Sequence, residues 1–125
     1  MNIRAIIADD EPPARERIRH LLRAHADVEI TAECPNGPET VAAVQEHRPD
    51  LLFLDVQMPG LDGFGVLAAL PPESLPIVIF TTAYDQHALR AFDAHALDYL
   101  LKPFKPSRFN EALQRARDHL TRHDN

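Results

Sequence analysis

The sequence predicts one α/β domain in which helices cover both faces of a parallel sheet. The chain has 125 residues, a length that suits a single compact domain. Five short apolar runs alternate with five segments of helical periodicity. Apolar residues make up 45% of the chain and charged residues 26%, as in ordinary globular proteins. Strands that are apolar throughout are buried on both faces, so we expect a doubly wound (βα)5 sandwich.

The first unit of the chain is predicted to be a strand, an acidic loop and a helix. Ile3 to Ala8 is an apolar run whose length suits a buried strand, and it ends at Asp9, Asp10 and Glu11. A pair of prolines follows, and proline fits the first turn of a helix because its missing N–H is not needed there. Apolar side chains then recur at helical spacing, at Ala14, Ile18, Leu21 and Leu22.

The later elements repeat this alternation, and prolines or glycines separate most of them. The remaining predicted strands are Val28 to Cys34, Leu51 to Leu54, Ile77 to Phe80 and Asp98 to Leu101. The remaining predicted helices are Glu39 to His47, Phe64 to Leu70, Gln86 to Ala94, and a closing helix marked by Phe109, Leu113, Ala116 and Leu120. The elements therefore follow one another as strand and helix throughout.

Composition excludes several classes of protein. Lys and Arg total 13 against 19 Asp and Glu, and a net charge of −6 argues against non-specific nucleic-acid binding by this segment. The single cysteine, Cys34, cannot form an internal disulfide. No apolar run reaches the ~18 residues that a membrane span needs. The first residues turn acidic too early for a signal peptide, so we expect a cytoplasmic protein without a membrane partner.

Polar side chains stand at the carboxyl ends of four predicted strands. Asp9 and Asp10 follow the first strand, Asp55 the third, Thr82 the fourth and Lys102 the fifth. In open α/β sheets, sites form beyond the carboxyl ends of the strands, so these groups are expected to converge. Any one of them alone would be interpreted as a helix cap or a solvated loop residue. Their shared position at the same end of the sheet favours a functional site.

Three carboxylates that lie close together repel one another unless a cation joins them. Oxygen ligands with room for water suit Mg²⁺ better than Ca²⁺, and no His or Cys stands at a comparable strand end. A carboxylate beside such an ion can attack phosphorus, while a lysine and a hydroxyl offset charge on the phosphoryl oxygens. The pattern therefore indicates Mg²⁺-dependent phosphoryl chemistry.

Four motifs stand in order along nearly the whole chain: Asp9-Asp10, Asp55 with Met58-Pro59-Gly60-Leu61-Asp62-Gly63, Thr82-Ala83, and Lys102-Pro103-Phe104. In this order and spacing they resemble the receiver domain of two-component response regulators. The resemblance implies a flavodoxin-like fold with a five-stranded parallel sheet in the order 2-1-3-4-5.

The same resemblance implies the roles of the acidic residues. Asp55 would accept a phosphoryl group from a phosphohistidine on a sensor histidine kinase. Asp10, the side chain of Asp55 and the main-chain carbonyl of Gln57 would hold Mg²⁺, and Asp9 would act through a bound water. The domain would be a signalling protein that catalyses only its own phosphoryl uptake and loss.

A switch is implied as well. Thr82 and Lys102 would contact the phosphoryl oxygens, and Tyr99 falls on the family's switch aromatic. Movement of Thr82 would let Tyr99 rotate and rearrange the face built from the fourth helix, fifth strand and fifth helix, through which phosphorylated copies would form a homodimer. Arg90, Asp93, Asp98 and Arg117 could supply charges to that interface, although each of them taken singly is more often an ordinary solvated surface residue.

A finer resemblance concerns the output. Asp10-Glu11-Pro12 with Ala14-Arg15, Thr81 to Asp85, and Ala96 to Phe104 resemble transcriptional regulators that carry a LytTR-type DNA-binding domain. We expect the receiver at residues 1–121 and the start of a linker or tail at 122–125, with the output domain absent from this chain. DNA would be bound only through that output, whether the chain is a fragment, as we favour, or a stand-alone receiver.

Three alternative functions place different demands on the sequence. A haloacid-dehalogenase-type phosphohydrolase needs a second acid where this chain has Gln57, and it needs a cap for which the chain is too short. A flavin carrier needs a phosphate-binding loop after the first strand, where Asp9 to Pro12 would repel the phosphate. A receiver-like interaction module that takes up no phosphate remains open, although such modules usually lack the acceptor aspartate or the lysine.

Overall fold

The computed structural model describes residues 2–123. The strands are β1 (Ile3–Ala8), β2 (Val28–Cys34), β3 (Leu51–Asp55), β4 (Ile77–Thr82) and β5 (Asp98–Leu101). The helices are α1 (Pro12–Leu22), α2 (Gly37–His47), α3 (Gly63–Ala69), α4 (Ala88–Asp93) and α5 (Pro106–His123). Short 3-10 turns at Pro72–Ser74 and Asp85–His87 precede β4 and α4.

All neighbouring strands pair in parallel, and the sheet has the order β2-β1-β3-β4-β5. This order confirms the predicted doubly wound fold. The order reverses between β1 and β3, which pair with each other. Because all five strands run the same way, their carboxyl ends lie along one edge of the sheet, where such folds place their sites.

Alternate residues of the central strands enter two separate cores. On one face, Ile7 and Phe53 pack with α1 and α5, and the Phe53 and Phe109 rings stack 5.4 Å apart. On the other face, Leu54 and Phe80 pack with α2, α3 and α4. The central strands are thus buried on both sides, which is why their sequences are almost purely apolar.

Several predicted boundaries were wrong. α2 begins at Gly37 rather than Glu39, because the Asn36 side chain accepts a hydrogen bond from Glu39 N and caps the helix. α3 likewise begins at Gly63, capped by Asp62 through Gly65 N, and ends at Ala69. The helix predicted over 86–94 is shorter, since its first part forms the 3-10 turn.

The carboxyl-terminal helix extends beyond residue 121, the predicted end of the receiver domain. α5 continues through Arg122 to His123, into the segment assigned to a linker or tail. Residues 124 and 125 of that segment lie outside the described residues. Within residues 2–123, no helix combines the length and the apolar character that a bilayer crossing would demand.

Candidate functional site

The three predicted acids do meet at the carboxyl edge of the sheet. Asp9, Asp10 and Asp55 each place a carboxylate oxygen within 4.8 Å of the others, a grouping able to hold a metal ion. We call the adjoining space of about 180 Å³ the acidic cleft; its lining residues are Asp10, Glu11, Asp55, Gln57, Ala83, Tyr84 and Lys102. Oxygen donors of this kind fit Mg²⁺.

Asp9 is fully buried, and each of its polar groups has a protein partner. Its main-chain N–H donates to the Cys34 carbonyl at 2.9 Å, and its carbonyl accepts from Arg15 Nη1 at 2.7 Å. Its Oδ1 accepts from Glu11 N at 3.0 Å, and its Oδ2 lies 2.6 Å from Lys102 Nζ. Asp9 is therefore fixed from four sides, whereas neighbouring Asp10 is exposed to the cleft.

Asp55 is the last residue of β3 and only 5% exposed. Burial, together with the nearby charge of Asp9, raises the pKa of Asp55 to about 6, although Lys102 opposes the shift. Its Oδ1 accepts a long hydrogen bond from Gln57 N at 3.4 Å. A bound cation would relieve the repulsion between these carboxylates and favour the ionised form.

Lys102 follows β5 and reaches both buried acids. Its Nζ lies 2.6 Å from Asp9 Oδ2 and 3.7 Å from Asp55 Oδ2. Burial acts to lower the pKa of Lys102, but its hydrogen bond to Asp9 and the charge of Asp55 raise it on balance. The ammonium group is thus charged and positioned beside the Asp55 carboxylate.

The loop between β3 and α3 packs closely on the strand that carries Asp55. Gly63 N donates to the Val56 carbonyl at 2.8 Å, and a β-carbon at Gly63 would lie 2.6 Å from the Asp55 carbonyl oxygen. Only glycine fits that approach. Gln57 lines the cleft beside this loop, but the role assigned to its carbonyl remains a prediction.

Thr82 and Tyr99 occupy neighbouring positions on β4 and β5. Thr82 ends β4 and is buried, and its Oγ1 accepts from Tyr84 N at 3.3 Å. The half-buried Tyr99 donates its hydroxyl to the Tyr84 carbonyl. Tyr84 therefore contacts both residues that were predicted to form the switch.

Two residues expected to provide interface charges are engaged inside the domain. The Asp98 carboxylate is 6% exposed and bonds both guanidinium nitrogens of Arg108, with Arg115 Nη1 3.1 Å away. Arg117 instead pairs with Asp27, in the loop before β2, at 2.7 and 2.8 Å. Both charges are therefore paired within the domain, and their contribution to an interface between copies remains a prediction.

Sequence reasoning missed two contributors to the site. In the sequence, Arg15 belongs only to the motif that carries the family resemblance, whereas in the structure its side chain binds the Asp9 carbonyl. Tyr84 lines the cleft and links Thr82 to Tyr99. Arg15 stands shortly after Asp10, on the first turns of the helix that follows the acidic loop. This position could have indicated that its side chain contacts the loop. Tyr84 lies in the stretch Thr81 to Asp85 that carries the resemblance, but its contacts with Thr82 and Tyr99 do not follow from the sequence.

Comparison with known proteins agrees with this geometry. Residues 5–114 match the model of the response regulator receiver domain. The chain is 46% identical over 122 residues to the transcriptional regulatory protein BtsR of Salmonella typhi, covering 98% of this chain and 51% of the relative. It is 49% identical over 113 residues to an uncharacterized response regulatory protein of Yersinia pestis, covering 90% and 48%.

Solved structures show the same fold. The REC domain of AraT from Geobacillus stearothermophilus matches with a TM-score of 0.90 and 34% identity, covering 100% of both chains. The response regulatory domain of mrkE from Klebsiella pneumoniae matches with a TM-score of 0.87 and 30% identity, covering 96% of this chain and 99% of the other.

The chain spans about half the length of the curated relatives that it matches. The family model, by contrast, covers most of the chain and includes every residue of the acidic cleft. On this evidence the chain belongs to the response regulator receiver domain family.

Proposed function

We propose that this receiver domain takes up a phosphoryl group on Asp55 from a phosphohistidine of a sensor histidine kinase. The observation that carries the proposal is the position of Asp55, at the end of β3 with two further carboxylates and the Lys102 ammonium beside it. Burying a carboxylate beside other carboxylates is unfavourable, so this arrangement favours a functional role for Asp55.

In the proposed transfer, a carboxylate oxygen of Asp55 attacks phosphorus and the phosphorus–nitrogen bond of the donor breaks. The donor imidazole leaves with the electron pair of that bond and takes up a proton. Lys102 lies close enough to Asp55 to offset charge on the incoming phosphoryl oxygens, and Thr82 would donate its hydroxyl to one of them.

Asp10 and Asp55 would hold Mg²⁺, with the Gln57 carbonyl as a further ligand and Asp9 acting through water. When bound, Mg²⁺ supplies charge neutralisation at the phosphoryl group. The polar groups of Asp9 are already occupied by protein partners, which supports an indirect role for this residue.

The acyl phosphate would change the domain through Thr82, Tyr84 and Tyr99. Phosphorylation adds about −1.5 to −2 charges at one point. Thr82 moving toward that charge would release its contact with Tyr84 N and disturb the carbonyl that holds the Tyr99 hydroxyl. We propose that the face of α4, β5 and α5 then forms a homodimer.

The output of the full-length protein would be transcriptional. The BtsR proteins of Salmonella and Escherichia coli are named transcriptional regulatory proteins, and they are about twice as long as this chain. We propose that the full-length protein contacts DNA only through an output domain of the LytTR type that the sequence motifs resemble, and that the protein is cytoplasmic. The domain itself acts as a switch and not as an enzyme that turns over an external substrate.

The test is incubation with Mg²⁺ and acetyl phosphate, followed by intact mass measurement. The parent protein should gain one phosphoryl group and Asp55→Asn none. Asp118→Asn, which removes an exposed carboxylate of α5, is the matched control and should be modified like the parent. Modification that persists in Asp55→Asn would refute the assignment. A parent that takes up nothing would favour the phosphorylation-independent interaction module.

Dimerisation is tested separately by measuring mass in solution with and without beryllofluoride. The proposal requires a monomer that doubles in mass when beryllofluoride and Mg²⁺ are added. An unchanged monomer would count against phosphorylation-driven pairing and would leave the acceptor assignment intact.

A further inference from the structure

Arg15 connects the first helix to the acidic loop that precedes it. The side chain is 20% exposed, and its Nη1 donates to the main-chain carbonyl of Asp9 at 2.7 Å. Its Nε lies 3.7 Å from Glu33 Oε1 on β2. One guanidinium therefore connects α1 with β2 and with Asp9, the first residue after β1.

The accepting carbonyl belongs to the peptide group that joins Asp9 to Asp10. A hydrogen bond to this carbonyl fixes the orientation of the whole peptide plane, because the plane does not bend. The same plane determines where the Asp10 backbone begins. Arg15 therefore acts on the position of the exposed acid in the cleft without contacting its carboxylate.

We propose that Arg15 is a positioning residue that orders the acidic loop after β1 and thereby strengthens the binding of Mg²⁺. The part that concerns Mg²⁺ rests on the proposed function, while the ordering of the loop does not. Residues that orient metal ligands from outside the coordination shell contribute to affinity because they hold those ligands in the bound geometry.

The direction of the effect separates positioning from simple electrostatics. Removing a positive charge from the helix that follows the acidic loop would, by electrostatics alone, tighten the binding of a divalent cation. Removing a group that holds the ligands in place would weaken it. Arg15→Gln therefore gives opposite results under the two explanations.

Arg19 provides a matched control. It pairs with the same partner, its Nη1 lying 2.8 and 2.9 Å from the two Glu33 oxygens, and it sits on the same helix. It is 42% exposed, and its recorded bonds go to Glu33 rather than to Asp9. Arg19→Gln thus removes an equal charge and a Glu33 contact but leaves the carbonyl of the acidic loop bound.

The first measurement is Mg²⁺ affinity of the metal-free proteins by calorimetry, with the acetyl phosphate reaction run across Mg²⁺ concentrations. Arg15→Gln should weaken Mg²⁺ binding about tenfold and keep the parent's rate once Mg²⁺ saturates. Arg19→Gln should stay within about twofold of the parent on the same scale. Unchanged or tighter binding by Arg15→Gln would overturn the inference.

The second measurement needs neither metal nor phosphate. The Glu11 amide donates to Asp9 Oδ1, so its hydrogen exchange reports the order of the loop. Arg15→Gln should speed this exchange about tenfold and Arg19→Gln should not. An unaltered rate would overturn the ordering role. If the parent itself bound no Mg²⁺, the proposed function would fail, and the exchange result would still decide the role of Arg15.

Discussion

Lys102 Nζ lies 2.6 Å from Asp9 Oδ2, so the residue that follows β5 contacts the fully buried carboxylate that follows β1. The same ammonium group is 3.7 Å from Asp55. The lysine is thus bonded to Asp9 and only neighbours the proposed acceptor. A short movement of its Nζ would transfer its contact from one acid to the other.

Removing one partner of this ion pair should strongly destabilise the domain. Lys102→Met leaves Asp9 buried without its cation, and we expect the free energy of unfolding to fall by about 3 kcal/mol. In Asp9→Asn/Lys102→Met the unpaired charge is gone, so much of the loss should be recovered. Urea unfolding at neutral pH is measured for the parent, Asp9→Asn, Lys102→Met and the double variant. A double variant that loses the sum of the two single effects would show that the groups do not interact.

Asp55 should oppose folding when no cation is bound. Its pKa of about 6 lies above the ordinary value of 3.8, which corresponds to about 3 kcal/mol against the ionised native state. Asp55→Asn should therefore raise the free energy of unfolding of the metal-free protein at pH 7.5, by up to about 3 kcal/mol. Adding Mg²⁺ should stabilise the parent and not the variant.

The pH dependence of that difference follows from the direction of the shift. With a folded-state pKa above the unfolded one, the parent regains stability as pH falls from about 6 toward 3.8, because the native state binds the proton first. The gap between parent and Asp55→Asn should close over this window. A gap that stays constant down to pH 4 would contradict the buried, repelled carboxylate described here.

Gly63 should tolerate no side chain. A β-carbon there would meet the Asp55 carbonyl oxygen at 2.6 Å and the Phe80 ring at 3.0 Å. Gly63→Ala should lower the free energy of unfolding by about 1–3 kcal/mol and slow phosphoryl uptake, because β3 must shift. Gly65→Ala is the control, since its nearest atom is the flexible end of Leu61, and it should lose less stability and keep normal uptake.

Asp98 should stabilise the domain at neutral pH through Arg108 and Arg115. Burial acts to raise the pKa of Asp98, but its hydrogen bonds with Arg108 lower it overall. The stabilisation that the ionised Asp98 provides is therefore fully present above about pH 3.8, the ordinary pKa of the group. It is lost as pH falls through the lower pKa of the folded state. Melting temperatures should show a larger drop for Asp98→Asn than for Asp27→Asn, whose carboxylate is 32% exposed. Equal decreases in melting temperature would show that the burial of Asp98 does not make its ion pairs more stabilising than that of Asp27.

The strands could be predicted closely because burial on both faces leaves an uninterrupted apolar sequence. β1 and β2 have the predicted bounds, and the carboxyl ends of β3 and β4 fall at Asp55 and Thr82. Helix starts were less accurate, since Asn36 and Asp62 cap through side-chain hydrogen bonds that admit glycine as the first helical residue. The spacing of apolar residues carries no information on such a cap.

For the site, the convergence of Asp9, Asp10, Asp55, Thr82 and Lys102 followed from strand direction alone. The partners within it did not. Strand direction does not determine whether Lys102 bonds Asp9 or Asp55, and the spacing of Arg15 after Asp10 does not specify that its side chain binds a main-chain carbonyl. The pairing of Arg117 with Asp27 joins residues from opposite ends of the chain, which spacing arguments do not reach.

The two last helices are attached to the sheet by different forces. α5 is tied by charges at Asp98 and Asp27, whereas no ion pair is recorded for α4 among residues 2–123. α4 spans only Ala88–Asp93; it buries Ala91, leaves Phe92 77% exposed, and rests an arginine on the Phe64 ring. The closing helix also places Phe109 and Leu113 in the core, so salt should weaken its exposed ion pairs without releasing it from the sheet. Relocating α4 would disturb the packing of Ala91 and the contact of Arg90 with the Phe64 ring, and it would break none of the ion pairs that hold α5.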